Sequence, residues 1–234
     1  MNESLDRVRG VRELPLFPLS VVLFPGLPLP LHIFEERYRR MVADVRVTNN
    51  LFGLSYFDMT ESVDDKPPIG HIGCVAQIIE VEQLPDGRSN IMTVGVVRYR
   101  VTGYVETDDP YFVGRVEFFE DDAEDEPQLK ERMHEVVALF ERIARSVRTL
   151  NDNRAGVPDL PEDEPERLSF LIASAMELED EVKLELLKMR SGLKRFTRLR
   201  GMLAQVVDAY EERARMHTLV KGNGHGGKHL KLEE

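Results

Sequence analysis

Tryptophan is absent from this sequence and cysteine occurs once, at position 74. A lone cysteine rules out an intramolecular disulfide and a multi-cysteine zinc site. Its setting, Ile72-Gly73-Cys74-Val75-Ala76, reads as a strand without the basic or helix-terminal surroundings that activate a thiolate. Cys74 is therefore expected to be buried and inert. No run of about 18 apolar residues occurs, so no segment is expected to span a bilayer. Met1 to Arg12 is polar and mixed in charge and lacks the apolar core of a secretory signal. These absences together predict a cytoplasmic location. Positive charge is also in short supply: 31 Lys and Arg stand against 42 Asp and Glu, a formal net charge of −11. Such a chain repels nucleic-acid phosphates on average.

Catalytic signatures are missing too. No complete G-x-x-x-x-G-K-[ST] loop, G-x-S-x-G elbow or H-E-x-x-H pair occurs. Gly222, Gly227 and Lys228 approach a phosphate loop, but His229 stands where the magnesium-binding hydroxyl is needed. Gly222, Gly224 and Gly227 spell G-x-G-x-x-G without the preceding strand and following helix of a dinucleotide site. Ser191-Gly192-Leu193-Lys194 is an S-x-x-K whose serine stands where a helix cap is wanted, and its companion motifs are absent. His225 and His229 have a ligand-like spacing but lie in a glycine-rich tail. The acidic pairs Glu35-Glu36 and Asp108-Asp109 are not distinguishable from the general acidity of the chain. We expect no catalytic residues, no metal and no cofactor.

What is present is 234 residues with 42% hydrophobic and 31% charged composition, ordinary for a folded protein. The first half reads as β structure. Glu13 to Phe17 and Leu29 to Phe34 are short apolar segments around a Pro25-Gly26 turn. Pro15, Pro18, Pro28 and Pro30 remove backbone donors, which predicts edge strands or extended loops there. Tyr38, Met41, Val42 and Val45 recur at helical spacing within Glu35 to Val45. Leu51 to Phe57 is a strand, followed by an acidic loop through Asp64 and Asp65. Ile72 to Val81 and Ile91 to Val101 form a hairpin through Leu84-Pro85-Asp86-Gly87, and Tyr111 to Phe119 adds another strand. The pattern predicts a curled sheet or partial barrel.

Glu120 to Glu126 is almost wholly acidic; lacking the calcium-loop pattern, it reads as a solvated linker or helix start. Beyond Pro127 the periodicity is helical. The stripes are Leu129 to Val147, then Leu168, Leu171, Ile172 and Ala175 behind Pro165, a short helix over Glu179 to Lys188, and Leu193 to Tyr210 behind Ser191. Two basic clusters, Arg37-Tyr38-Arg39-Arg40 and Lys194, Arg195, Arg198 and Arg200, lie beside apolar stripes and read as solvated faces. The expected division is a β subdomain over 12–120, a helical bundle over 127–215 and a disordered tail over 216–234.

The most specific string runs from Leu14-Pro15-Leu16-Phe17-Pro18-Leu19 through Phe24-Pro25-Gly26 to Pro28-Leu29-Pro30-Leu31-His32-Ile33-Phe34-Glu35. With Gly70-His71-Ile72-Gly73, Pro85-Asp86-Gly87-Arg88 and Leu168-Ser169-Phe170-Leu171-Ile172, it resembles the amino-terminal substrate-binding domain of Lon proteases over about residues 12 to 210. The resemblance implies an α+β fold, a PUA-like β-barrel or curled sheet followed by a C-terminal helical bundle. It also implies a non-catalytic polypeptide-binding module, adaptor or chaperone-like, in a free-standing form without the ATPase and peptidase parts. Its expected partners are unfolded or partly folded polypeptides and a separate protease, with neither nucleic acid nor membrane. The alternative is an RNA-binding PUA-like protein. Oligomeric state is left open. The proline-broken segment concentrates apolar residues that cannot all pair within a sheet, so Leu23, Phe24, Leu27 and Leu29, with Glu36 and Arg37 at the adjoining helix start, are the expected binding residues.

Overall fold

The computed structural model describes residues 3–57, 66–152 and 160–223. The acidic loop at Asp64 and Asp65 and the tail histidines His225 and His229 lie outside these residues. The chain divides into two units, one of Met1–Asp122 with Glu166–Ser191, the other of Ala123–Pro165 with Gly192–Glu234.

The first unit is built on a mixed sheet. Its strands are β1 (Glu13–Leu19), β2 (Pro28–Ile33), β3 (Leu51–Tyr56), β4 (Ile72–Gln83), β5 (Ser89–Val105) and β6 (Phe112–Phe119), in the order β2-β5-β4-β3-β1-β6. A five-residue helix α1 (Glu3–Arg7), not expected from the sequence, precedes the sheet, and α2 (Glu36–Arg46) follows β2. β5 is long enough to serve two neighbours on one side: Ser89 to Val94 face β2, while Arg98 to Val105 face β6. The sheet therefore curls back on itself. It is not a closed barrel, because β2 pairs with β5 alone among the described residues and keeps an open edge.

The prolines are accommodated in two ways. β2 is an edge strand, as expected. Gly95 N–H donates to Leu27 O at 2.9 Å and Thr93 Oγ1 donates to Leu29 O at 2.8 Å, so the odd-numbered residues turn their backbone groups toward β5. By antiparallel alternation, Pro28 and Pro30 face the open edge, where a missing N–H breaks no ladder bond. β1, by contrast, lies between β3 and β6, against the edge expectation. Its register with β6 covers Glu13 to Leu16 and that with β3 covers Leu16 to Leu19. Pro15 and Pro18 thus each have a neighbour on one side only. The Phe24-Pro25-Gly26 turn docks on β5 through Gly26, whose φ of 76° suits glycine and whose N–H donates to Gly95 O at 2.8 Å. Gly95 is itself required there: a Cβ at this position would lie 2.2 Å from Phe24 O.

Two apolar clusters flank the sheet. Tyr38, Met41, Val42 and Val45 of α2 pack with Phe17, Leu23, Ile33, Phe52, Leu54 and Ile91, and the Phe17 and Tyr38 rings lie 3.9 Å apart. Leu14, Leu16, Val75, Val97, Tyr99 and Val101 form the second cluster. Each fully buried side chain of this kind contributes about 2 kcal/mol. Cys74 is buried with the first cluster, and burial pushes its thiol up, well away from thiolate chemistry.

The helices α4 (Pro165–Ala175) and α5 (Asp180–Lys188) lie, from Glu166 onward, in the β-bearing unit. The helical expectation over 127–215 is therefore split. Phe170 of α4 stacks on Phe24 at 5.1 Å. Arg98 of β5, with no exposed surface, donates to Leu187 O (3.2 Å), Met189 O (2.6 Å), Asp121 Oδ1 (2.6 Å) and Glu166 Oε1 (2.9 Å). One guanidinium fork therefore pins both helices and the chain after β6 to the sheet.

The second unit contains α3 (Glu126–Leu150) and α6 (Gly192–Asn223). Met133, Val136 and Val137 of α3 and Phe196, Leu199, Leu203 and Val207 of α6 are buried, and Arg142 holds Glu211 through two bonds at 2.8 and 3.0 Å. α6 continues through Met216 to Asn223, where a disordered tail was expected: Ala214 is still buried and Lys221 pairs with Asp152, so helical contacts persist past residue 215. The acidic run is not merely solvated. Asp121 binds Arg98 and Asp122 binds Arg190 at 2.5 Å, Glu124 accepts from Leu193 N–H at 2.9 Å, and Asp125 caps α3 by accepting from Gln128 N–H at 3.0 Å.

Candidate functional site

Two of the expected binding residues face inward. Leu23 and Phe24 are only 3% and 2% exposed, Leu23 in the α2-side cluster and Phe24 against Phe170. This corrects the expectation that they meet a partner: the proline-bearing segment leaves the ladder but folds over the sheet, where burying an apolar ring outweighs leaving it wet. Leu27 and Leu29 are half-buried, and Leu29 packs against the same core. Glu36 is exposed and Arg37 half-buried, and they line a different, charged groove of about 570 Å³ with Arg40, Asp108, Asp109 and Pro110. Within it Arg37 Nε donates to Glu35 at 2.9 Å and its guanidinium lies 4.6 Å from the Tyr38 ring centre. Beside it Tyr111 Oη donates to Asp44 at 3.0 Å, and burial first, then that carboxylate, raises the phenol pKa.

The exposed apolar surface of the segment lies on the alternate residues. Pro28, Pro30 and His32 of β2 turn outward, and Phe34 just beyond is 60% exposed. Because β2, β5 and β4 are in continuous register, these residues line up in cross-strand rows. His32 stands opposite Asn90 and Asn90 opposite Glu82; Pro30 stands opposite Met92 and Met92 opposite Glu80. The first row is hydrogen-bonded across all three strands. His32 Nδ1 meets Asn90 Oδ1 at 2.7 Å, and Asn90 Nδ2 donates to Glu82 at 2.8 Å. Arg88 Nη1 lies 3.4 Å from His32 Nε2 and is itself held by Asp86 at 2.6 Å. The Phe34 ring stacks on His32 with centres 6.1 Å apart and planes at 24°. A β-bulge after Ile78 turns Ile79 outward, 54% exposed.

Together Pro30, His32, Glu80, Glu82, Asn90 and Met92 line an open groove of about 370 Å³. Its chemistry is that of a recognition surface: flat apolar side chains, a stacked ring, and fixed polar groups at one end. Among the described residues no cluster of His, Cys, Asp and Glu is arranged to hold a metal ion. Of the basic clusters, Arg195 is fully buried, while Arg40 pairs with Asp44 and Arg200 with Glu135. Sequence reasoning missed Pro30, Phe34 and Met92. Pro28-Leu29-Pro30-Leu31 is apolar at every position, so no alternation marks which side faces out; only the edge-strand reading of the prolines pointed there.

The model of the ATP-dependent protease La (LON) substrate-binding domain matches residues 13–205. The chain belongs to this family. Lon protease 2 of Herpetosiphon aurantiacus is 28% identical over 201 residues, 85% of this chain and 24% of that protein. The Lon protease of Solibacter usitatus is 29% identical over 196 residues, 82% of this chain and 24% of that one. This Lon-family chain thus spans about a quarter of the length of these relatives, and the matching family model is of the non-catalytic substrate-binding domain. Among solved structures, the Lon N-terminal domain protein from Xanthomonas campestris superposes with a TM-score of 0.59 at 24% identity, covering 81% of this chain and 97% of that one. The N-terminal domain of the Mycobacterium avium complex Lon protease gives a TM-score of 0.60 at 15% identity, covering 82% and 98%. Both establish the α+β fold as that of a Lon N-terminal domain. The PUA-like designation is carried by neither. No described helix is long and apolar enough to cross a membrane.

Proposed function

We propose that this Lon-family domain binds unfolded or partly folded polypeptides on the outer face of β2, β5 and β4, as an adaptor or chaperone-like module that delivers them to a separate protease in the cytoplasm. The observation that carries the reading is the exposed Pro30 and Phe34, with the half-buried Met92, beside the hydrogen-bonded His32, Asn90 and Glu82. An extended segment lies across this face and not along the open edge, since Pro28 and Pro30 have no N–H to give an added strand. The face replaces Leu23 and Phe24 as the contact surface, while Leu29 supports it from beneath, Leu27 precedes it in the turn before β2, and Glu36 and Arg37 belong to a separate groove.

Fluorescence anisotropy with a labelled, reduced and unfolded client protein tests this. The variants Phe34→Asp and Met92→Glu, both at positions with solvent access, are expected to weaken binding at least tenfold, which is the loss of about 1.4 kcal/mol. Unchanged affinity in both variants, with folding intact by circular dichroism, would remove the face from consideration.

A further inference from the structure

The outer face of β2, β5 and β4 changes character across its width. β2 presents Pro28 and Pro30, with Phe34 just beyond, as an exposed apolar margin. β5 presents Asn90 and the half-buried Met92. β4 presents Glu80 and Glu82, both exposed. Val81 between them packs inward on the α2-side cluster, so strand alternation turns the two acids to the same side. The registers Pro30–Met92–Glu80 and His32–Asn90–Glu82 make each acid the inner end of a row that starts at the β2 edge.

Neither carboxylate has a cation. The Glu80 side chain makes no hydrogen bond or ion pair among the described residues, and that of Glu82 accepts from the neutral Asn90 amide at 2.8 Å. The arginines that reach these strands' outer side chains are each held by another acid. Arg88, beside His32, pairs with Asp86 at 2.6 Å. Arg7, 3.4 Å from Gln77, pairs with Glu3 at 2.6 Å. Glu80 and Glu82 are about 7 Å apart along the strand, within the Debye length of about 8 Å at physiological salt, so their potentials add. The apolar margin thus faces two unbalanced negative charges.

We propose that this face selects client segments in which an apolar or aromatic residue has lysine or arginine two to four positions away. The selection rests on the assignment of polypeptide binding to this face and names the class of segment bound there. The spacing follows from the sheet. β2 and β4 are two strand spacings apart, about 10 Å. An extended client crossing the strands advances about 3.3 Å per residue and turns alternate side chains to the same surface. A residue seated on Pro30 and Phe34 therefore sets the side chain two or four positions away over Glu80 and Glu82, where a long basic group reaches either carboxylate. A client with glutamate at those positions meets like charge instead and is disfavoured.

Fluorescence anisotropy on the full chain with three labelled peptides tests the selection. The peptides share one extended apolar and aromatic core and carry lysine, glutamine or glutamate two and four residues from it. At low salt the lysine peptide is expected to bind about fivefold more tightly than the glutamine peptide, with the glutamate peptide weakest, and raised salt is expected to close the gap. Glu80→Gln with Glu82→Gln is expected to abolish the lysine preference. Glu106→Gln with Glu131→Gln, which removes as much charge from exposed positions elsewhere, is expected to retain it. Equal affinity for the lysine and glutamine peptides, while Phe34→Asp still weakens the glutamine peptide, would overturn the charge selection and leave the binding face standing. A lysine preference that survives the Glu80 and Glu82 double variant, or that the Glu106 and Glu131 variant also loses, would overturn it too, since the preference then follows the overall charge of −11. If none of the peptides binds, the assignment of the face falls and the selection with it.

Discussion

Replacing Arg98 by methionine removes the charge while keeping much of the length of the side chain, and its cost follows from what the guanidinium holds. Four acceptors lose the bond this side chain gives them: the Leu187 and Met189 carbonyls and the Asp121 and Glu166 carboxylates. The Phe119 and Phe170 rings, 4.8 and 5.3 Å from the guanidinium carbon, lose a cation over their faces. Breaking a buried charge pair by deleting one partner typically costs about 3–5 kcal/mol. The carboxylates retain 17% and 28% of their side-chain surface and so regain some hydration, which places the loss at about 3 kcal/mol. Water cannot do the same for carbonyls held beside a buried side chain. In urea unfolding followed by tyrosine fluorescence, a loss of that size shifts the midpoint by about 1–2 M at the slopes usual for proteins of this size. Arg98→Lys is expected to recover only part of it, because an ammonium cannot span four acceptors with a planar fork. A change below about 1 kcal/mol in Arg98→Met would refute the view that this side chain pins α4 and α5 to the sheet.

His71 sets a pH dependence of known sign. Burial first, and then the charge of Lys188, lowers its pKa from 6.5 to about 4. Below pH 6.5 the unfolded chain takes up a proton that the folded chain refuses, so stability falls as the pH drops from 6.5 toward 4, by about 2–3 kcal/mol in all. His71→Gln is expected to flatten urea midpoints across that window, and an unaltered slope would contradict it. Phe24→Ala is expected to cost about 3–5 kcal/mol through the cavity left against Phe170. A binding defect in that variant without loss of stability would return Phe24 to the contact surface.

The strands and helices were legible because each carries its own period: Leu14 and Leu16 against Phe17, or Tyr38, Met41, Val42 and Val45 along α2, declare local geometry without reference to anything distant. Partner choice is not local. The stripe of Leu168 and Ile172 announces a helix but not whether a sheet or another helix will cover it, and α4 and α5 consequently read as part of one bundle. Arg98 was invisible for the same reason. An arginine in a strand looks solvated, and the acceptors of Arg98 lie 23 to 91 positions away along the chain. The proline-rich segment was singled out rightly as unusual, but its exposed side was misjudged. Uniform apolarity through Pro28-Leu29-Pro30-Leu31 conceals the pleat, and only the pairing with β5 shows that Leu29 and Leu31 turn inward while Pro30 and His32 turn out.

Site-specific photo-cross-linking asks whether a client chain touches the outer face. With a benzophenone side chain in place of Phe34, irradiation in the presence of an unfolded client is expected to give a covalent adduct. The same group at Val47, which is 84% exposed at the end of α2, is expected to give none. Equal labelling from both positions, or labelling from Val47 alone, would contradict the assignment of polypeptide binding to the face formed by β2, β5 and β4.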